Sequence, residues 1–330
     1  MINRIFPLLV ASQIFGFAAP PAPLPIPDVL KSAQASVSAG KLNLNSPVPL
    51  TPEQWGAVEE LVAAGKIRSF VFGGKAGDDT ALERLVKMDP ESIAFFGGTF
   101  TETGAARFEE MKSLKHLITS HAGPPTAKAA SALSNHPALE SFASDGFGTN
   151  AVEHIVSAKH LRQITLQHGL ASDANAAILA RHPALEKVVL WPHGPYAILT
   201  DAAIPSLATL PNLKDLTLDY SRFTFEAGLK QLKQVRTLEK LNLGNALLSD
   251  ADLERLKAEL PNVAIKYTPM PEEKRVMFER AEAVRDNVAE LLKLAEADRP
   301  ARLAELKKND VRLFEAVNAA LQKLLPKLKK

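Results

Sequence analysis

Three histidines and one aspartate, His116, His121, His168 and Asp145, are the side chains best suited to chemistry in this sequence. Placed on adjacent strands they would converge, and imidazole with carboxylate suits a zinc-like ion. A metal-dependent hydrolase built on them is one alternative reading, recognisable by stoichiometric metal in the purified protein. No HExxH or comparable compact ligand motif accompanies them, so the sequence assigns no metal and no cofactor. Nor does it contain a nucleophile elbow, a GxxxxGK[ST] loop or a GxGxxG fingerprint, and no catalytic residue is assigned. The glycine pairs in Phe72-Gly-Gly-Lys75 and Phe95-Phe-Gly-Gly98 read as tight turns leaving strands.

These residues need a scaffold, and the sequence repeats one unit. Leu213-Lys-Asp-Leu216-Thr-Leu218 precedes Leu229 and Leu232, and Leu238-Glu-Lys-Leu241-Asn-Leu243 precedes Leu253 and Leu256. Apolar residues fall first at a strand-like period of two and then at helical spacing, predicting strand, turn and helix. Units open at Ile67, Pro90, Leu114, Leu139, Leu161, Leu185, Leu213 and Leu238, in steps of roughly 22 to 28 residues. Asp78 or Asp79, Thr101, Thr126, Thr149, Ser172 or Asp173, Thr200 or Asp201, Thr224, and Ser249 or Asp250 stand where each helix needs a cap. The pattern resembles the helix-containing leucine-rich repeats, such as those of ribonuclease inhibitor, in a bacterial-type protein. The resemblance implies an α/β fold, a right-handed solenoid with a parallel sheet on its concave side and helices on its convex side. One departure is plain. The slot usually filled by Asn or Cys holds Lys75, Gly98, Ala122, Phe147, Gly169, His193, Ser221 and Ala246, so the usual buried ladder is missing and closer backbone packing is expected instead.

In that family the strand residues between the leucines face the concave side. Applied here, the phase gives one column running from Gly73 and Phe96 through Ser120, Asp145, Gln167, Trp191 and Asp219 to Gly244. Its neighbour runs from Gly74 and Gly97 through His121, Gly146, His168, Pro192 and Tyr220 to Asn245. Trp191 and Tyr220 are the expected binding anchors, flanked by His168, Gln167 and Asp219, with Asp145 and His121 on the same surface. The other reading is that both aromatics pack on a neighbouring loop or on the C-terminal helices. His136 and His182 occupy the positions of Leu210 and Leu260 in their units, and read as repeat positions rather than ligands.

The rest of the chain sets the context. Residues 1–19 have the layout of a secretory signal peptide, with Arg4, an apolar run and small residues before a cut. Residues 20–50, with their dense prolines, read as a spacer. Residues 51–268 form the solenoid, opened by a capping helix that starts at Thr51-Pro52-Glu53-Gln54. Residues 269–330 read as a helical hairpin or coiled segment that caps the solenoid, docks elsewhere or pairs with a second copy. The chain has no cysteine, which excludes disulfides, thiolate nucleophiles and cysteine-linked lipid anchors. A formal net charge of +2 implies no nucleic-acid partner. The expectation is therefore a non-enzymatic scaffold that binds a protein or glycan, secreted or periplasmic, without stable membrane insertion once its signal is cleaved. A structural, oligomerising role through the C-terminal helices and a cytoplasmic location are the alternatives.

Overall fold

The computed structural model describes residues 25–328 apart from 66, 124–125, 149–150 and 193–197. The expected signal peptide, the Thr149 cap and most of the loop after Trp191 lie outside the described residues. Side chains alternate across a strand, so apolar residues two apart enter the same face. Phe70 and Phe72, Ile93 and Phe95, Leu216 and Leu218, and Leu241 and Leu243 are each no more than 1% exposed. Where two units carry hydroxyls instead, Thr119 donates to Ser144 at 2.8 Å, so the buried polar atoms satisfy each other across the rungs.

The strands are β1 (Ser36–Ser38), β2 (Lys41–Ser46), β3 (Ser69–Gly74), β4 (Ser92–Phe96), β5 (His116–Ser120), β6 (Ser141–Ser144), β7 (Gln163–Gln167), β8 (Lys187–Trp191), β9 (Leu199–Thr200), β10 (Asp215–Arg222), β11 (Lys240–Leu247) and β12 (Ala264–Pro269). They form one twelve-stranded sheet in chain order, with β9 set beside β10 off the main path. β1 and β2 pair antiparallel, and from β2 onward neighbours pair parallel. Register is kept: Leu42 pairs with Phe70, Phe70 with Ile93, and Ile93 with Leu117. Helices such as Asp79–Met88 and Asp173–Leu179 put Leu82, Leu85 and Leu179 into the core that the strand leucines fill. One unit replaces the helix with a 3₁₀ stretch at Leu229–Gln234, and another follows a single α-turn at Glu102–Ala105 with a 3₁₀ stretch at Ala106–Glu110.

A different ladder replaces the missing one. In the pairs Asp78-Asp79 and Ser172-Asp173 the first residue caps the helix and the second reaches the next rung. Asp78 accepts the Ala81 amide as cap, while the Asp79 carboxylate accepts both the amide and the hydroxyl of Thr101 at 2.6 and 2.7 Å. Asp173 does the same for Thr200, and Asp201 for Thr224. Closer backbone approach is also present, since a Cβ on Gly98 would stand 2.9 Å from the Gly77 carbonyl oxygen.

The N-terminal boundary differs from the expected one. Part of the proline-rich segment read as spacer is solenoid: Asp28–Ala33 is a 3₁₀ helix, β1 and β2 form a hairpin, and Leu30, Val37, Leu42 and Leu44 are buried in the common core. The helix Pro52–Ala63 carries the expected capping box at Thr51 and Gln54. It therefore sits between β2 and β3 as an ordinary rung helix, and the hairpin covers the open end instead. At the other end the expected hairpin is three helices, Glu272–Lys293, Arg299–Asn309 and Val311–Leu328. Val284, Val288, Leu291, Leu306, Val317 and Leu321 give them a small core of their own.

Candidate functional site

The outward face of the sheet presents rows set by register. A middle row pairs Val71 with Ala94, Ala94 with Ile118, Ile118 with Ala143, and Ala143 with Thr165. Ala94, Ile118 and Ala143 are buried and pack with the partly buried Val71 and Phe96 in a cluster that contains only sheet residues. The columns expected from the repeat phase lie beside this row, whose Thr165 and Thr217 were expected on the same surface while its apolar members were not. Its signal was the apolar residue between the two core positions in β3 to β6, namely Val71, Ala94, Ile118 and Ala143.

In the next row the chain passes through one residue of left-handed backbone, at the ends of β3, β4, β5 and β7 and within β10 and β11. Gly74 and Gly97 do this at φ 64° and 83°. The same place in later units holds His121 at 51°, His168 at 49°, Tyr220 at 48° and Asn245 at 44°. Glycine adopts such angles freely, and Asn, Asp and His enter them more often than other residues, yet a residue with a side chain there carries some strain. Such strain costs on the order of 1–3 kcal/mol and concentrates at functional sites.

His121, Asp145 and His168 come together at these turns. The Asp145 side chain is 2% exposed, and its Oδ2 lies 3.1 Å from His121 Nδ1 and 3.4 Å from His168 Nε2. Its Oδ1 accepts the backbone N–H of His121 at 2.7 Å, which pins the carboxylate to the strained turn. Ser120 Oγ stands 3.4 Å from the same Oδ2 and 3.2 Å from His121 Nδ1. The two imidazoles meet edge to face, ring centres 5.4 Å apart. They belong to units two rungs apart, and between them the equivalent position is Gly146, which has no side chain to intervene. A Cβ there would meet the Ala122 carbonyl oxygen at 2.5 Å. The ligand atoms of the three side chains lie within 4.8 Å of one another. His116 does not join them: it opens β5 at the other end, roughly 15 Å of strand away, and burial pushes its pKa down.

The expected anchors sit elsewhere. Tyr220, 9% exposed, clusters with Met270, Phe278 and the partly buried Trp191, Ile198 and Leu247. The Tyr220 and Phe278 rings are 5.9 Å apart, and Arg222 pairs with Glu282 at 2.8 Å. The first C-terminal helix thus docks on the strand ends of the last rungs, and desolvation there pushes the Tyr220 hydroxyl above its ordinary pKa. Asp219 accepts from the Tyr220 amide at 2.9 Å and from Asn245 Nδ2 at 2.8 Å, so it braces that turn. Gln167 is buried at the end of β7, in register with Trp191. Phe278, Met270 and Glu282 were not anticipated at this junction, because nothing in an amphipathic helix names the surface it will cover. Beside it, Met277, Ala281, Val284, Val288, Ala316 and Ala320 line part of a groove of about 690 Å³ between the first and third C-terminal helices.

His136 and His182 are repeat positions. Each buried ring faces the backbone carbonyl of the preceding rung, His136 Nε2 to Met111 at 3.1 Å and His182 Nε2 to Ala158 at 2.9 Å.

Strand order, register and the repeated leucine phase together make this a solenoid of strand-turn-helix units on one mostly parallel sheet, with a C-terminal helical segment. No protein-family model matches the sequence, and no curated protein matches it. Among solved structures, the chain is similar to internalin C2 of Listeria monocytogenes, at 17% identity and TM-score 0.38 over 61% of this chain and 80% of that one. It is also similar to an internalin, inlF, of the same species, at 12% identity and TM-score 0.37 over 72% of this chain and 84% of that one. Neither likeness is strong enough to assign a fold, and the solenoid rests on this chain's own register. No helix among the described residues is long and apolar enough to cross a membrane.

Proposed function

We propose that this protein is a non-catalytic scaffold that holds a protein partner against the concave face of its sheet, between β3 and β8. The observation that carries this reading is the long parallel sheet itself. Parallel sheets are ordinarily covered on both faces, because a half-covered one leaves side chains on the other face without a second layer. Here helices fill one face, while the cluster of Ala94, Ile118 and Ala143 on the other involves only sheet residues. Phe96 and Ser120 are half-buried at the rim of that cluster and so stand where a partner would seat. The N-terminal layout of residues 1–19 supports export of the scaffold.

The test places a photo-crosslinking phenylalanine analogue at Phe96 on the concave face and, separately, at the exposed Glu254 on the convex side. Protein adducts from native extract and medium at Phe96 and none at Glu254 are expected. Adducts at Glu254 alone would reject the concave site, and retention on immobilised glycans without protein adducts would move the ligand to the glycan class.

A second reading has its own observation. Val276, Met277 and Leu324 are exposed apolar residues on the C-terminal helices, beside the groove there. A mass that rises with concentration in sedimentation would favour an oligomerising role for that segment.

A further inference from the structure

We propose that His121, Asp145 and His168 form a binding site for a divalent first-row metal ion of the zinc class. The site stands on its own geometry, whether or not a protein occupies the concave face. Two imidazole nitrogens and one carboxylate oxygen, with a position left for solvent, are a recurrent zinc donor set. A tetrahedral ion with bonds of about 2.0–2.1 Å keeps its neighbouring ligand atoms about 3.3 Å apart. Asp145 Oδ2 lies 3.1 Å from His121 Nδ1 and 3.4 Å from His168 Nε2, so the carboxylate edges of that tetrahedron already have their length.

Three features separate this cluster from histidines that merely meet an aspartate on a surface. Asp145 is a buried carboxylate, fixed by the His121 amide and therefore unable to swing away from its neighbours. One oxygen faces two imidazoles and the Ser120 hydroxyl, which crowds donors onto a single acceptor that a dication would satisfy more fully. Both histidines occupy left-handed turn positions that other units give to Gly74, Gly97 and Asn245. That strain has no packing reason at His121, whose side chain is 75% exposed. On binding, the proton of each coordinating nitrogen passes through solvent to the other nitrogen of its ring, so both imidazoles coordinate as neutral ligands.

The test uses the tag-free full-length chain, stripped with chelator and dialysed. Zinc is titrated by calorimetry, and cobalt by its visible absorption, which reports coordination geometry. Variants are His121→Asn, His168→Asn and both together, since asparagine suits the left-handed turn, as Asn245 shows, and keeps the fold. The parent is expected to take up one zinc per chain, to show tetrahedral cobalt bands and to gain melting temperature with zinc. The double variant should melt like the metal-free parent and bind zinc about a hundredfold more weakly or worse, each step of ten being one decade in Kd. Equal stoichiometry and affinity in parent and double variant would locate the metal elsewhere and overturn the proposal. So would a parent that shows no zinc binding by calorimetry.

Discussion

At the scale of single residues, the histidines of this chain divide by where the repeat places them. His136 sits where other units carry leucine, and its ring must then find partners inside the core. Nε2 faces the Met111 carbonyl, and Nδ1 accepts the Ala138 amide at 3.3 Å, an arrangement that fixes the neutral tautomer with its proton on Nε2. Burial holds its pKa below the ordinary 6.5, and that of the half-buried His116 likewise. The unfolded chain therefore binds more protons than the folded one as pH falls below 6.5. Stability present above that pH is lost on acidification as the folded pKa values are approached. Urea midpoints measured from neutral pH downward should show this decline. The single substitution His136→Gln should make the slope shallower, and an unchanged slope would mean that His136 does not titrate with folding.

At the scale of elements, leucine phase was legible because a core position tolerates few residue types. Leu216 with Leu218 and Leu241 with Leu243 announce strands directly. Leu42 and Leu44 carry the same spacing, yet β2 was hidden by the prolines before it and by the serines and asparagines around it. Composition averaged over a segment outweighed two correctly spaced leucines. In the candidate site, His121, His168 and Asp145 were legible as a set because the repeat phase puts them in adjacent columns. The inclusion of His116 was the error of ignoring position along a strand. The ladder was legible only as an ambiguity between two possible caps, since a sequence does not show which of Asp78 and Asp79 turns back and which reaches across.

That ladder makes a prediction at its own scale. Asp79→Ala and Thr101→Ala should each destabilise, and their double-mutant cycle should return a coupling of about 1 kcal/mol from the hydroxyl-to-carboxylate bond alone, since the Thr101 amide that also donates to Asp79 is kept in alanine. The N-cap bond that Thr101 also makes to Thr103 is lost in both arms containing Thr101→Ala and cancels. A coupling near zero would leave the rungs held by sheet pairing and core packing without this side-chain bond.

For the whole molecule, stability in a stacked solenoid runs from each rung to its neighbours, so its ends must be closed. The N-terminal end is closed by the β1–β2 hairpin, while the C-terminal helices do something different. They are held to the strand ends of β8, β10 and β11 by Trp191, Tyr220, Leu247, Met270 and Phe278, together with the Arg222–Glu282 pair. Their own small core is separate from that of the solenoid. The chain contains two tryptophans, Trp55 at 1% exposure inside the solenoid and Trp191 at the dock. Phe278→Glu places a charge against Tyr220 and should release the helix, since a carboxylate buried without a partner costs several kcal/mol. The expected result is a red shift of tryptophan emission at unchanged far-ultraviolet dichroism, abolished when Trp191→Phe is added and retained with Trp55→Phe. Released helices would also expose the apolar surface around Tyr220, so binding of a hydrophobic dye should rise in parallel. A variant whose emission stays fixed would mean that the helices are held by the Arg222–Glu282 side of the contact, and Glu282→Ala would then be the change that frees them.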